Sequence, residues 1–392
     1  MTVDWIHLVA LVGAVQGFLV AGALVAHRTN RTANRLLAAL VVTFTISLIQ
    51  EVYYSAGLVR VYPHFFGISY PLPWVFGPLA YLYAVCASDG SRRLRARDAA
   101  HFAPLIVVLI AGAPIYWMSG ADKIALFDRL QSGDAPTIIR LLEPSKYVSG
   151  SVYSLLTIAH LRQHRRRIRN SYSSTERVNL LWLLWLSAAA AAIWLLAIAV
   201  DVASTLPFPM SSHPDDLVSF AVVLLVYAIG YMGLRQPEIF RYDGPVAPTP
   251  SETDPPSIDQ AEPAAPAERY ERSGLRDSEA GALKAALITL MTREHPYRNP
   301  DLTLPDLAER LGTTPHKLSE VLNAELSQTF YDFVNSYRVE DVRRRLAKAD
   351  SRNQNLLTLA MDAGFASKST FNQVFKKQTG QTPSAYRQTA GG

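Results

Sequence analysis

The stretch GFASKSTFNQVFKKQTGQTPSAYR, residues 364–387, reads as a turn, a basic amphipathic helix, a glycine stop and a second helix. Ser367 carries the short polar side chain that caps a helix N-terminus. Phe371, Val374 and Phe375 recur at i, i+3, i+4 as one buried stripe. Lys368, Ser369, Asn372, Gln373, Lys376 and Lys377 are left on the opposite face. Gly380 ends the helix, and Thr382 with Pro383 starts the next one. Amides can bond base edges and lysines can neutralise phosphates, so this polar face suits a DNA groove.

The pattern repeats upstream. Residues 279–293 place Leu283, Ala286, Leu287, Leu290 and Met291 at helical spacing. In the following DLTLPDLAERLGTTPHKLSEVLNAEL, Leu304, Leu307, Ala308 and Leu311 mark one helix, and Gly312 allows a tight turn. Thr314 caps a second helix that Pro315 starts and that buries Leu318, Val321 and Leu322. Two short helices about a glycine turn form a helix-turn-helix pattern. A longer helix is predicted over 329–348, with Phe330, Phe333, Val334, Tyr337, Val342 and Leu346 inward. Helix, glycine turn and helix then recur over 356–364 and 367–379. Two such motifs on one connecting helix can enter successive major-groove turns ~34 Å apart.

The rest of the 392-residue chain is of another kind. Seven apolar runs, at about 5–26, 33–54, 71–87, 99–118, 147–161, 180–202 and 217–234, mostly approach the ~20 residues that span a bilayer. The first run is too long for a signal-peptide core and lacks a preceding basic residue. Arg28, Arg31 and Arg35 follow it, Arg92, Arg93, Arg95 and Arg97 lie in the third loop, and the fifth loop holds Arg162, Arg165, Arg166, Arg167, Arg169 and Arg177. The alternate loops are poorer in cations, so the positive-inside rule puts the N-terminus outside and the C-terminal part in the cytoplasm.

Within the apolar part, Gly13, Gly17 and Ala21 form a small-residue face read as helix packing inside the bundle. Pro71, Pro73, Gly77 and Pro78 are expected to kink or break the third helix. Polar and aromatic groups gather at the predicted outer ends, and acids or amides near a bilayer mark function. Gln50, Glu51, Tyr54, Tyr70, Trp74 and Asp201 are therefore the candidate ligand pocket, beside the plainer reading of an aromatic belt.

Enzyme chemistry finds no support. His160 and His164 stand i, i+4 among arginines that repel a cation, so no metal is expected. The seventh run has no lysine for a Schiff base, and no nucleophile elbow or phosphate loop occurs. Cys86, the single cysteine, is read as a small buried hydrophobe. No catalytic residue and no cofactor are expected. Residues 242–274, rich in Pro, Ala and acidic groups, are expected to be a disordered linker reaching roughly 30 Å as a flexible coil.

The stretches DLTLPDLAERLG, YRVEDVRRRLA and above all GFASKSTFNQVFKKQTGQTPSAYR resemble the DNA-binding domain of the arabinose-regulator (AraC) family of bacterial transcription factors. The apolar part is similar to seven-span sensor modules fused to such domains, with GPLAYLYA in the third run as the shared feature. Val342 stands where that family usually has alanine. The resemblance implies base contacts from His316, Ser319 and Glu320 on the first recognition helix, with Asn323 near the backbone. On the second it implies Lys368, Ser369, Asn372 and Gln373 at bases and Lys376 and Lys377 at phosphates.

The expected architecture is all-α. A seven-helix transmembrane bundle over 1–241 is joined by the linker to an AraC-type domain over 275–392 with two helix-turn-helix motifs. The expected partners are double-stranded promoter DNA, membrane lipid, a signal ligand, RNA polymerase and a second copy of the chain. The expected place is the bacterial inner membrane. The competing expectation is a membrane receptor or transporter whose C-terminal domain binds protein.

Overall fold

A computed structural model describes residues 5–27, 30–89, 92–174, 180–204, 215–235, 277–347 and 354–389. The expected linker, 242–274, lies outside them. The chain divides into two compact units. One comprises Met1–His164 with Leu180–Arg241, the other Arg165–Asn179 with Tyr242–Gly392. The described residues are helical and hold no strand; the one β-type feature is a bridge between Tyr172 and Thr303.

The first unit contains α1 (Trp5–Ala26), α2 (Arg31–Ser55), α3 (Pro73–Ser88), α4 (Ala103–Tyr116), α5 (Gly120–Gln131), most of α6 (Thr137–Ser171), α7 (Leu181–Ser204) and α8 (Asp215–Arg235). Its small residues let helices approach. A Cβ on Gly17 would fall 2.0 Å from the Thr45 hydroxyl, so this glycine seats α1 on α2. Gly13 faces Leu48 of α2 and Val223 of α8, which makes the small-residue face a packing face within the unit.

Where seven spans are expected, three stretches among the described residues are long and apolar enough to cross a membrane: Arg31–Ser55, Ala96–Tyr116 and Leu181–Ala203. The first and seventh runs contribute the shorter apolar helical stretches Ala10–Ala26 and Phe220–Ile229. The third is held to 16 residues because proline begins α3 at Pro73, where its missing N–H is harmless. The fifth lies inside the 35-residue α6, whose polar residues and interior Pro144 dilute the apolar run. The fourth loop folds into α5, started by Ser119, whose hydroxyl accepts from the Asp122 amide.

The second unit contains α9 (Asp277–Arg293), α10 (Leu304–Arg310), α11 (Pro315–Ala324), α12 (Phe330–Leu346), α13 (Leu356–Asp362), α14 (Lys368–Thr379) and α15 (Pro383–Thr389). Thr303 and Asp306 form a reciprocal capping box on α10, and Thr314, Thr329 and Ser367 cap α11, α12 and α14. Apolar residues gather into two cores that share α12. Phe330, Phe333 and Val334 join Leu287, Leu307, Leu318 and Leu322 in one. Val339, Val342 and Leu346 join Leu359, Phe365, Phe371 and Phe375 in the other. At 17 residues, α12 is about 25 Å long and serves as the common spine.

Candidate nucleic-acid interface

Each core carries one helix-turn-helix. In the first, α10 leads through Gly312, at φ +65°, into α11. In the second, α13 leads through Gly364, at φ +95°, into α14. Leu318, Val321 and Leu322 bury one face of α11, while Phe371, Val374 and Phe375 bury one face of α14. The caps leave the first N–H groups of each recognition helix oriented and partly satisfied, and anions are favoured at such ends.

The opposite faces are open. Lys368, Ser369, Asn372, Gln373, Lys376 and Lys377 are all exposed on α14, and His316 and Asn323 are exposed on α11. Ser319 and Glu320 are half-buried. Asn323 donates to the Ser319 carbonyl at 2.8 Å, which pins its amide along the helix. One carboxylate oxygen of Glu320 is shielded and has no hydrogen-bond partner. Lys377 donates to Asp332 on α12 at 3.2 Å, and Arg169 holds the same carboxylate at 2.7 and 2.9 Å. Burial alone would raise the Asp332 pKa. Hydrogen bonds from Thr329 and Lys377 and the charges of Arg169 and Lys377 outweigh it and hold the carboxyl below its ordinary value.

Sequence reasoning missed Arg338. It is 1% exposed, and its guanidinium donates to the carbonyls of Tyr297 (2.7 Å), Asn299 (2.8 Å) and Ser173 (3.0 Å). Further bonds reach the Ser173 hydroxyl at 3.0 Å and Asn335 Oδ1 at 3.2 Å. Beside it, Asp341 is buried against Arg298, Arg344 and Arg345. These contacts tie the chain between α9 and α10 to the middle of α12.

In the first unit, the six candidate pocket residues divide. Glu51, Tyr54 and Tyr70 line one cavity of about 490 Å³ with Tyr116, Phe127 and Glu143. The Tyr70 hydroxyl is shielded there without a hydrogen-bond partner. Gln50 instead donates to the Phe65 carbonyl at 3.3 Å, and Trp74 is buried with its indole N–H on Ser145 at 2.9 Å. Asp201 lines a separate cavity of about 400 Å³, mostly apolar, with Lys146, Tyr147, Trp182 and Trp194. His160 is placed 3.2 Å from the Ser88 hydroxyl, and no metal-holding cluster occurs among the described residues.

The profile of a family described as "Helix-turn-helix domain" matches residues 307–389. An uncharacterized HTH-type transcriptional regulator of Staphylococcus aureus (strain COL) is 33% identical over 87 residues, 22% of this chain and 11% of that protein. The uncharacterized HTH-type transcriptional regulator YtdP of Bacillus subtilis (strain 168) is 33% identical over 88 residues, again 22% and 11%. The chain thus spans about a tenth of the length of the curated relatives it matches. No solved structure gives a significant match. With both motifs in place, the C-terminal region is a helix-turn-helix domain of the AraC type.

Proposed function

We propose that the chain is a membrane-tethered transcription regulator. The C-terminal domain reads promoter DNA with α11 and α14, and the helical N-terminal unit, anchored in the bacterial inner membrane, senses a signal. The carrying observation is the pair of recognition helices, each with a buried apolar face and an open polar one, built on the shared spine α12. Membrane embedding is supported by two of the three long apolar stretches: in their most apolar 18-residue windows only 11% of Ala96–Tyr116 and 22% of Leu181–Ala203 is buried, against 56% for Arg31–Ser55. Large apolar side chains such as Ile110, Trp185 and Leu195 face outward, a cost in water and none in lipid. In this reading the N-terminus is outside, seven segments cross and residues 242–274 tether the reader in the cytoplasm. A second copy of the chain and RNA polymerase are its partners at the promoter.

Genome-wide DNA capture with the intact protein tests the reading. Gln373→Ala is expected to cost roughly 1–3 kcal/mol at particular base pairs and to relax specificity there. Lys377→Ala should weaken all sequences alike and lower the salt slope by about 1. A binding pattern unchanged by either substitution would remove α14 from the groove.

The signal site is the cavity that Glu51, Tyr54 and Tyr70 share. Its tyrosines, two carboxylates and unpartnered hydroxyl suit a small aromatic or hydrogen-bonding ligand. Trp74 supports its wall, with ring centroids 5.6 Å from Tyr70, and Gln50 fixes the adjoining turn at Phe65. Glu51→Gln should reduce the transcriptional response to inducing conditions at least about tenfold. Asp201→Asn, in the other cavity, should spare it. A reporter strain that ranks them the other way moves the site to the apolar cavity.

A further inference from the structure

The second unit does not consist of the C-terminal residues alone. It includes a segment from before α7, Arg165–Asn179, of which 165–174 are described. This segment is built in rather than laid on. Ser173 is fully buried, its amide donates to the Leu302 carbonyl at 3.2 Å, and its hydroxyl donates to the same oxygen at 2.6 Å. Its carbonyl accepts from Arg338 at 3.0 Å and from Asn335 Nδ2 at 3.2 Å. Tyr172 pairs with Thr303 in an antiparallel bridge, placing the segment against the residue that caps α10. Arg169 grips both oxygens of Asp332, and its guanidinium lies 5.3 Å from the Tyr331 ring centroid.

From these contacts we propose that residues 165–174 are a detachable clasp of the DNA reader, and that the reader binds its site well only while the clasp is seated. The docking surface is the face formed by Leu302, Thr303, Tyr331, Asp332, Asn335 and Arg338. Its occupant is this basic, serine-bearing segment of the chain itself. Two consequences give the seated state its advantage. Ser173 supplies two of the five acceptors of a fully buried guanidinium, and the other three lie on Tyr297, Asn299 and Asn335. Losing the segment strands donors at the seam between the two cores that carry α11 and α14. Arg169 also shares Asp332 with Lys377, so a seated Arg169 offsets the carboxylate that would otherwise hold this lysine back from a phosphate. Residues 165–171 of the segment are the last turns of α6, so a change in that helix can reach the reader without any ligand at the DNA interface.

The proposal rests on the DNA-reading assignment, and the test separates the two. Full-length protein in lipid nanodiscs is titrated with its captured site, and hydrogen exchange is followed over residues 165–174 and α12. Arg169→Glu and Ser173→Val should each weaken specific binding about tenfold or more and expose the amide at position 173, which the seated clasp bonds to the Leu302 carbonyl, while Arg169→Lys stays within about threefold. A disulfide provides the opposite arm. Residues paired across an antiparallel bridge have Cα atoms about 4.5–5.5 Å apart, inside the range about 4.4–6.8 Å that a disulfide spans. Oxidised Tyr172→Cys/Thr303→Cys should therefore restore binding to the Arg169→Glu background, and reduction should abolish the rescue. The native Cys86 is buried and does not compete. Binding and exchange unchanged by Arg169→Glu and Ser173→Val overturn the clasp. Should wild-type protein show no sequence preference, the DNA assignment falls and exchange still scores the clasp: an amide at position 173 left protected in Ser173→Val overturns it.

Discussion

Arg338→Leu is expected to destabilise the reader by about 3–5 kcal/mol, a large part of the 5–15 kcal/mol typical of a whole domain. The guanidinium makes five hydrogen bonds, all to neutral oxygens, in a site where it is 1% exposed. Burial pulls its pKa down to about 10, a drop that Tyr331 and Asp301 only partly offset, so it stays charged near neutral pH. Leucine removes the charge but not its acceptors. The carbonyls of Tyr297, Asn299 and Ser173 remain, and an acceptor buried without a donor costs about 1–3 kcal/mol. Lysine is no conservative replacement, because an ammonium cannot bridge acceptors spread around a planar fork. Denaturant unfolding of the detergent-solubilised protein, followed by exchange at α12, measures the loss. A shift under about 1 kcal/mol would mean that water replaces the guanidinium and that the two cores do not depend on it.

The features legible in the sequence were those set by near neighbours. Caps at Thr314 and Ser367, the glycine turns and the apolar stripes of α11 and α14 are decided within one or two helical turns, and the structure shows them. Arg338 left a readable trace: it stands i+4 from Val334 and i−4 from Val342, both fully buried, so it lies on the inward face of α12. Ser173 left none, because its partners are more than a hundred residues away. The pocket residues show the limit of gathering polar groups by depth alone. Gln50 and Glu51 are adjacent on a helix and so point about 100° apart. One meets the Phe65 carbonyl and the other a cavity. Hydropathy located the apolar runs, but proline placement and the polar residues of α6 decided how long a continuous apolar helix each became.

The shared spine makes the two motifs interdependent, and a single methyl group can test this. Gly364 has φ +95°, in the left-handed region, and a Cβ there would lie 2.3 Å from the Tyr297 carbonyl oxygen and 2.8 Å from backbone atoms of Arg298. Those atoms belong to the same short connection that Arg338 holds from the other side, so they cannot turn away as a side chain would. Left-handed backbone costs a non-glycine residue about 1–2 kcal/mol, and forced overpacking adds about 1–3. Gly364→Ala should therefore cost about 2–5 kcal/mol. Gly312 and Gly380 supply internal controls. Both have positive φ, at +65° and +76°, but an added Cβ meets nothing within 4 Å. Alanine at either should cost only the conformational part, about 1–2 kcal/mol. The functional effect differs as well. Displacing the α13–α14 turn from Tyr297 leaves α11 on its own core, so protection of DNA by the Gly364→Ala protein should shrink to the half of the site read by α11. Unfolding midpoints and DNA footprints of the three alanine variants decide the matter. If Gly364→Ala behaves like Gly312→Ala in both, the two motifs are independent readers and the connection between α9 and α10 does not couple them.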